Sequence, residues 1–258
     1  MPTWNPAQYL KFDEERTRPC RDIASRIQLH EPKRVIDLGC GPGNSTQVLV
    51  EKWPGAEVTG LDRSEQMIRS AREKYPQQKW EMGSIDMWKT ALPYDLVFSN
   101  AALQWVPDHP RVMPHLLRQV APGGVLAFQV PANLGAPAHE LMRHVAESPA
   151  WKSSFPGTIR EWHVHDPAFY YDALIGDASH LDLWTTEYFH VLDGPAAIVE
   201  WYKGTGLRPF LEGLSNESDR EKFLADYLRE IEGAFPRRAD GRVLFPFLRF
   251  FVIATRKG

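Results

Sequence analysis

Between Lys33 and Pro131 short apolar runs alternate with longer amphipathic ones, and few folds satisfy that alternation. Arg34 to Leu38 reads as a buried strand and Ser45 to Trp53 as the helix that follows it. Val58 to Asp62 is a second strand. Ser64 is placed to cap a helix over Glu65 to Lys74, whose Met67, Ile68 and Ala71 fall on one face. Lys79 to Met82 is a weak third strand. Tyr94 to Ser99 is a fourth, its Leu96-Val97-Phe98 run apolar enough for burial on both faces. A helix over Arg111 to Val120, ended by Pro122 and Gly123, leads to a fifth strand over Gly124 to Val130. This order predicts an α/β protein built on a doubly wound, mostly parallel sheet with helices on both faces.

The rest of the chain is patterned differently. Helical stretches fall at Ala138 to Glu147, Asp166 to Leu174, Ala196 to Lys203 and Glu217 to Ala234. Leu183 to Leu192 is rich in aromatic and β-branched residues and reads as a strand. Val243 to Thr255 is the last strand, and Pro246 predicts that its early part is irregular or at an edge. Two further strands then complete a seven-stranded sheet, with a helical cap inserted near these C-terminal strands. With 258 residues, the expectation is one domain, 1–258, with the core at 33–131 and residues 1–30 and about 138–240 supplying a lid and a pocket.

Composition removes several classes. Hydrophobic residues at 43% and charged residues at 24% exclude a disordered, collagenous or coiled-coil chain. The 30 Lys and Arg against 33 Asp and Glu leave a net charge of -3, so neither nucleic acid nor an anionic membrane is an expected partner. Two cysteines, Cys20 and Cys40, exclude a disulfide framework and an all-cysteine metal site. The N-terminus has no signal-peptide core, and the longest uncharged run, Gln119 to His139, is broken by prolines and glycines. A soluble cytoplasmic protein is expected, with no obligate protein partner.

Asp37-Leu38-Gly39-Cys40-Gly41-Pro42-Gly43-Asn44 sits at the first strand-to-helix junction, where an open parallel sheet binds its ligand. A dinucleotide fingerprint needs G-x-G-x-x-G, but here the glycines are 39, 41 and 43 and position 44 is Asn. Asp37 would repel a pyrophosphate. It suits the ammonium and sulfonium of S-adenosylmethionine, which has no phosphate. Asp62 ends the second strand, 23 residues after Gly39, where a carboxylate can accept hydrogen bonds from both ribose hydroxyls.

On these residues the chain resembles the class I S-adenosylmethionine-dependent methyltransferases over about 33–131, which implies a Rossmann-like fold and that cofactor. The resemblance implies that Gly83-Ser84-Ile85-Asp86-Met87 binds adenine, with Asp86 toward the exocyclic amine and Met67 and Met87 as candidates to sandwich the ring. The implied cofactor set is Asp37, Gly39, Cys40, Gly41 and Asn44 at the first turn, and Asp62, Arg63 and Met67 at the second strand end. Ile85, Asp86 and Met87 follow, with Asn100, Ala101 and Trp105 beyond the fourth strand.

Residues beyond the fourth strand bear on the acceptor. Amino methyltransferases of nucleic-acid bases carry a Pro-Pro pair there, and cytosine-C5 enzymes a Cys; this chain has Ser99-Asn100-Ala101-Ala102-Leu103. Pro19-Cys20 precedes the first strand, and Asp86, Asp95 and Asp108 lie on separate elements, so no metal site is expected. A carboxylate acceptor, with a reference pKa of about 4, is already ionised and needs no general base, so no catalytic side chain is assigned. A wider likeness to the members of the family that esterify trans-aconitate rests on Trp4-Asn5-Pro6-Ala7-Gln8-Tyr9-Leu10 with Phe12 and Arg16-Thr17-Arg18-Pro19, Leu103-Gln104-Trp105, Pro107-Asp108-His109, Tyr170-Tyr171-Asp172 and Thr205-Gly206-Leu207-Arg208-Pro209. It implies a small tricarboxylate as substrate, S-adenosylhomocysteine as product, and a pocket walled by Trp4, Tyr9, Trp105 and Tyr171. Arg18, Arg208 and Arg249 are its candidate anchors. Trp162, His163, His165, Tyr170, Trp201 and Tyr202 are further aromatic or basic residues that such a lid could use. A carboxyl methyltransferase acting on another or a carrier-bound acid, and a non-catalytic S-adenosylmethionine-binding protein, are the alternatives.

Overall fold

A computed structural model describes residues 12–157 and 162–258. The chain opens with α1 (Asp13–Arg26) and then alternates: β1 (Arg34–Leu38), α2 (Asn44–Lys52), β2 (Glu57–Asp62), α3 (Glu65–Lys74), β3 (Lys79–Met82), β4 (Tyr94–Asn100), α4 (His109–Arg118) and β5 (Val120–Pro131). Short 3₁₀ turns at Ile85–Met87 and Leu103–Trp105 flank β4. After β5 come α5 (Pro137–Glu147), α6 (Pro167–Ile175), β6 (Ala178–Leu192), α7 (Pro195–Lys203), α8 (Arg208–Gly213), α9 (Glu217–Ala234) and β7 (Val243–Arg256).

The seven strands run in the order β3-β2-β1-β4-β5-β7-β6. Strands β1 to β5 pair in parallel and β7 pairs antiparallel to β5, which is the expected doubly wound, mostly parallel sheet. β1 and β4 are buried along nearly their whole length because they lie inside the sheet. The Ser64 hydroxyl accepts from Met67 N and starts α3, which turns Met67, Ile68 and Ala71 into the core.

The chain packs as two compact units. A sheet unit contains residues 13–132, 163–186 and 249–258; a second, mainly helical unit contains, among the described residues, Phe12, 133–157, Trp162 and 187–248. The sheet unit is built around Ile36, Leu38, Val97, Leu126, Phe128 and Val252. The helical unit is built around Met142, Trp201, Tyr202, Phe223, Tyr227 and Phe245, and buried Tyr227 donates its hydroxyl to Ala138 O at 3.0 Å. The core expected at 33–131 lies within the sheet unit up to Ala132.

Several local expectations differ from the structure, and the strand expected at Leu183 to Leu192 begins at Ala178. The fourth helix begins at His109, not Arg111, and ends before Gln119. Pro122 and Gly123 do not stop it; they lie within β5, where the pairing jumps from Tyr94↔Val120 to Leu96↔Val125. Pro246 does not interrupt β7, which lies between β5 and β6, but it falls in the early part of the strand that has no β5 partner, so on that side this part is the expected edge. The pairing of β7 with β5 covers only Arg249 to Thr255, so no N–H is required of Pro246 on that side. Among the described residues no helix is long and apolar enough to cross a membrane.

Gly60 exposes the tightest packing in β2: a Cβ there would sit 2.5 Å from Trp80 Cε3 and 3.0 Å from Cys40 Sγ. Trp80 cannot retreat freely, since its indole N–H donates to Tyr75 O at 3.0 Å. Gly60→Ala is therefore expected to cost about 1–3 kcal/mol through overpacking. Urea unfolding checks this, and an unchanged midpoint would show that the Trp80 ring yields.

Candidate functional site

The strand order reverses between β1 and β4, so the crevice beyond their carboxyl ends is where this sheet can take a ligand. The glycine turn after β1 forms one wall. Gly39 and Gly41 adopt left-handed dihedrals, with φ 76° and 56°. A Cβ on Gly39 would collide with Ala102, whereas a Cβ on Gly41 would meet nothing within 4 Å. Gly39 is thus glycine for packing, and Gly41 leaves an open surface.

The N–H groups of this turn point back into the protein. Gly39 N and Cys40 N both donate to Leu61 O, at 2.7 and 3.0 Å, and Gly43 N donates to Cys40 O at 3.1 Å. Gly41 N donates to Asp62 Oδ2 at 2.9 Å, and Ser64 N donates to Asp62 Oδ1 at 2.8 Å. A phosphate cradle needs several free N–H groups converging on one point. Here four are already committed. Asp62 keeps one lone-pair site on each oxygen for a further donor, the arrangement that vicinal hydroxyls satisfy. Burial raises its carboxyl above the ordinary range, opposed by the N–H groups of Ser64 and Gly41 and by the charge of Arg63.

Asp37 is fully buried at the end of β1. Its Oδ2 accepts from Ser45 Oγ at 2.6 Å and Thr46 Oγ1 at 2.7 Å, while Oδ1 is buried without a hydrogen-bond partner. Burial is the main cause that pushes this carboxyl up to about 6, against the lowering effect of the two hydroxyls. The orphan oxygen, the open face of Gly41 and the half-committed Asp62 together fit a nucleoside carrying a cationic tail and no phosphate.

The opposite wall is the turn after β4. Asn100 is buried, and its Oδ1 accepts from Gln129 Nε2 at 2.6 Å. Gln129 Oε1 in turn accepts from Arg249 Nη1 at 3.1 Å, and Arg249 is itself buried, at the β7 position paired with Pro131. Ala101 follows with φ 54° and Trp105 is half-buried. Ile85 borders the same region, 3.4 Å from the point where a Gly39 Cβ would lie.

Other expected residues are placed differently. The Cys40 side chain packs with Ile68, Ala71 and Trp80. Asn44 is engaged by Asp13 and by Lys74, the latter at 3.3 Å. Met67 is core on α3 while Met87 is 74% exposed, so the two expected faces of an adenine sandwich have opposite environments. Asp86 is half-buried and takes the Ser84 hydroxyl; Arg63 is exposed. Arg18 faces solvent on α1, whereas Arg16 in the same helix is buried. Tyr171 is 47% exposed, and its neighbour Tyr170 is the buried member of the pair. In the helical unit, Arg208 pairs with Glu212 at 2.7 Å and Trp162 packs edge-on to His139 at 4.5 Å. Trp4 and Tyr9 lie outside the described residues. Among the described residues no group of three His, Cys, Asp or Glu could hold a metal ion.

Sequence reasoning missed Ser45, Thr46 and Gln129, and it named His109 within the Pro107-Asp108-His109 motif without giving it a role. The two hydroxyls had a signal, since they open the helix after an acidic strand end. Gln129 had none, because a polar residue in an apolar strand does not announce its partners.

A family model described as a methyltransferase domain matches residues 12–172. The chain belongs to the methyltransferase family. Trans-aconitate 2-methyltransferase of Azoarcus sp. strain BH72 is 49% identical, over 99% of this chain and 100% of that protein. The protein of the same name from Methylobacterium radiotolerans is 46% identical, over 99% of each. Among solved structures, the chain resembles the YcgJ protein of Bacillus with TM-score 0.59 at 13% identity, covering 93% of this chain and 99% of that one. It also resembles Haemonchus contortus phosphoethanolamine N-methyltransferase 2, solved with S-adenosylhomocysteine, with TM-score 0.57 at 15% identity, covering 93% and 53%. These two likenesses establish the fold.

The buried Asp37 carboxyl makes a pH prediction for the ligand-free methyltransferase. Its folded value of about 6 lies above the unfolded value of 3.8. The contribution to stability is therefore full below the unfolded value and is lost as pH rises through the folded one. Between pH 4.5 and 7.5 the wild type should lose about 2 kcal/mol relative to Asp37→Asn. Urea unfolding of both proteins at the two pH values measures the gap; a constant gap would mean that Asp37 is not a desolvated acid.

Proposed function

We propose that this protein is an S-adenosylmethionine-dependent carboxyl O-methyltransferase that converts trans-aconitate to its monomethyl ester, with S-adenosylhomocysteine as the second product. The observation that carries the cofactor half is the glycine turn whose N–H groups are spent on β2, beside an Asp62 held for two hydroxyls. The trans-aconitate half is supported by full-length relatives of that name at 43–49% identity. The two free cysteines, both buried, are compatible with the cytoplasm as its site of action.

S-adenosylmethionine, when bound, supplies an electrophilic methyl group on a sulfonium. Asp62 and the Gly41 face would hold the ribose, Asp37 Oδ1 would face the cationic end, and the Asn100–Trp105 turn would close the other side. Asp86, Arg63, Met87 and the backbone of Cys40 and Asn44 remain candidate contacts in the same set. An acceptor carboxylate, with reference pKa about 4, is already ionised at neutral pH, so no side chain needs to remove a proton. Attack by one carboxylate oxygen on the methyl carbon cancels one negative and one positive charge, a change that a dry pocket favours. The protein's work is alignment and exclusion of water.

Arg249 is the anchor proposed for a spare carboxylate. It is buried, and the Gln129 amide, itself fixed by Asn100, orients its guanidinium fork. Arg208, which pairs with Glu212, and Arg18, which faces solvent, have weaker support, and Tyr171 and Trp105 stay as candidate walls.

Incubation with isotopically labelled S-adenosylmethionine and a panel of small di- and tricarboxylic acids, read by mass spectrometry, should give a singly labelled trans-aconitate ester ahead of the others. Labelling of another acid alone would overturn the substrate. Arg249→Met should lower kcat/KM for trans-aconitate by about 3–5 kcal/mol in transition-state binding, more than it weakens cofactor binding through the Gln129–Asn100 link. The maximal rate should be flat from about pH 6 to 9, since the acceptor titrates far below that window. A bell-shaped profile of the chemical step would reveal a titrating catalytic group.

A further inference from the structure

The turn after β4 is held in a conformation its own residues do not favour. Ala101 and Asp108, at φ 54° and 58°, are two of the three non-glycine residues with left-handed backbone among the described residues, and they bracket the Leu103–Trp105 turn. An alanine there costs on the order of 1–2 kcal/mol, so surrounding contacts must over-determine the geometry. The conformation also has a purpose in the packing. It seats Ala102 where any Cβ on Gly39 would have to go, so the two walls of the crevice touch.

Separate chain segments hold this turn. Ala101 N donates to Gln129 O at 3.0 Å, and Gln104 Nε2 donates to Ala101 O at 2.7 Å. His163 N donates to Gln104 O at 2.8 Å. The remaining tie is a side-chain relay. His109 is fully buried at the start of α4, and its Nε2 lies 3.0 Å from Leu103 O. A carbonyl can only accept, so Nε2 carries the hydrogen. Nδ1 of the neutral ring is then an acceptor, and it takes the Tyr170 hydroxyl at 3.0 Å. Tyr170 oxygen accepts from His165 N at 3.4 Å, and the Tyr170 ring is wedged between Phe128 and Phe250, centroids 5.5 and 5.4 Å away. Burial lowers the His109 pKa, and the neighbouring His165 and His163 lower it further against the Leu103 carbonyl, which favours the neutral ring. Two sequence segments 61 residues apart, Pro107-Asp108-His109 and Tyr170-Tyr171-Asp172, thus meet in one relay.

We propose that His109 and Tyr170 are positioning residues for methyl transfer: their relay holds the strained Ala101–Trp105 turn against Gly39 in the form that closes over the cofactor. Neither touches the reacting atoms. The proposal rests on the reading of the crevice as an S-adenosylmethionine site. Tyr170 O–H selects the Nε2–H tautomer of His109, that hydrogen clamps Leu103 O, and the clamp keeps Ala101 in its left-handed state.

The test uses the full chain and S-adenosylhomocysteine as probe. Tyr170→Phe conserves shape and removes only the hydroxyl; His109→Phe removes the donor to Leu103; His109→Gln retains an N–H donor. Titration calorimetry should show affinity falling about tenfold in His109→Phe and a few-fold in Tyr170→Phe, the scale of one buried hydrogen bond, with recovery in His109→Gln. Nitrogen NMR of the wild type should show His109 as the neutral Nε2–H tautomer, with that signature weakened in Tyr170→Phe. Urea midpoints report folding separately. Unchanged affinity in folded Tyr170→Phe and His109→Phe would overturn the positioning role while leaving the cofactor assignment intact, as would an Nδ1–H tautomer in the wild type. A wild type that does not bind S-adenosylhomocysteine would overturn the functional reading and this inference with it.

Discussion

The hydrogen bond from Gly41 N to Asp62 Oδ2 ties the turn after β1 to the end of β2, and the site is organised around it. It spends the turn's central N–H group inside the protein and fixes the carboxylate with its free lone pairs outward. The neighbouring N–H groups of Gly39 and Cys40 are spent in the same way on Leu61 O. A strand-turn-helix junction that would otherwise attract phosphate is thereby converted into a surface for hydroxyls and a cation. Asp37 completes the conversion, since a second buried carboxylate beneath the turn makes anion binding there still less favourable.

The crevice has a second wall of a different kind. Where the glycine turn is held through its own N–H groups, the turn after β4 is held by the side chains of Gln104 and the His109–Tyr170 pair together with the backbone of Gln129 and His163. Gln129 serves twice, because its side chain also joins Asn100 to Arg249. The proposed cofactor wall and the proposed acceptor anchor therefore share one buried amide. That economy makes the arrangement sensitive to single substitutions, since a partner removed from a buried polar line leaves the next group unsatisfied.

Legibility in the sequence followed the range of the interactions. β3 over Lys79–Met82, α3 over Glu65–Lys74 and α9 over Glu217–Ala234 are set by local caps and periodicity, and were readable to the residue. Helix α1 was not readable, because Pro19 lies inside it and its buried stripe includes Arg16 and Thr17. Pro122-Gly123 reads as a helix stop because it is the same punctuation there as in a β5 irregularity. In the site, Asp62 and the glycines could be read because turn chemistry restricts those positions to few residue types. The side chains that support them could not, because Gln129, Tyr170 and Arg249 acquire their partners only when distant strands and helices come together. Residue type alone also ranked Arg18 beside Arg249, although one faces solvent and the other is buried.

The most direct test of the central claim, that Asp62 is fixed to receive the two ribose hydroxyls, is a ligand-and-protein double cycle. S-adenosylhomocysteine and its 2′-deoxy and 3′-deoxy analogues are titrated calorimetrically into the wild type and into Asp62→Ala. The account predicts that each deoxy analogue binds the wild type more weakly than the parent by about 1.5–3 kcal/mol, the scale of a hydrogen bond to a charged group, and that the difference nearly vanishes in the variant. Equal losses for the analogues in both proteins would mean that the hydroxyls are read elsewhere, and would contradict the account.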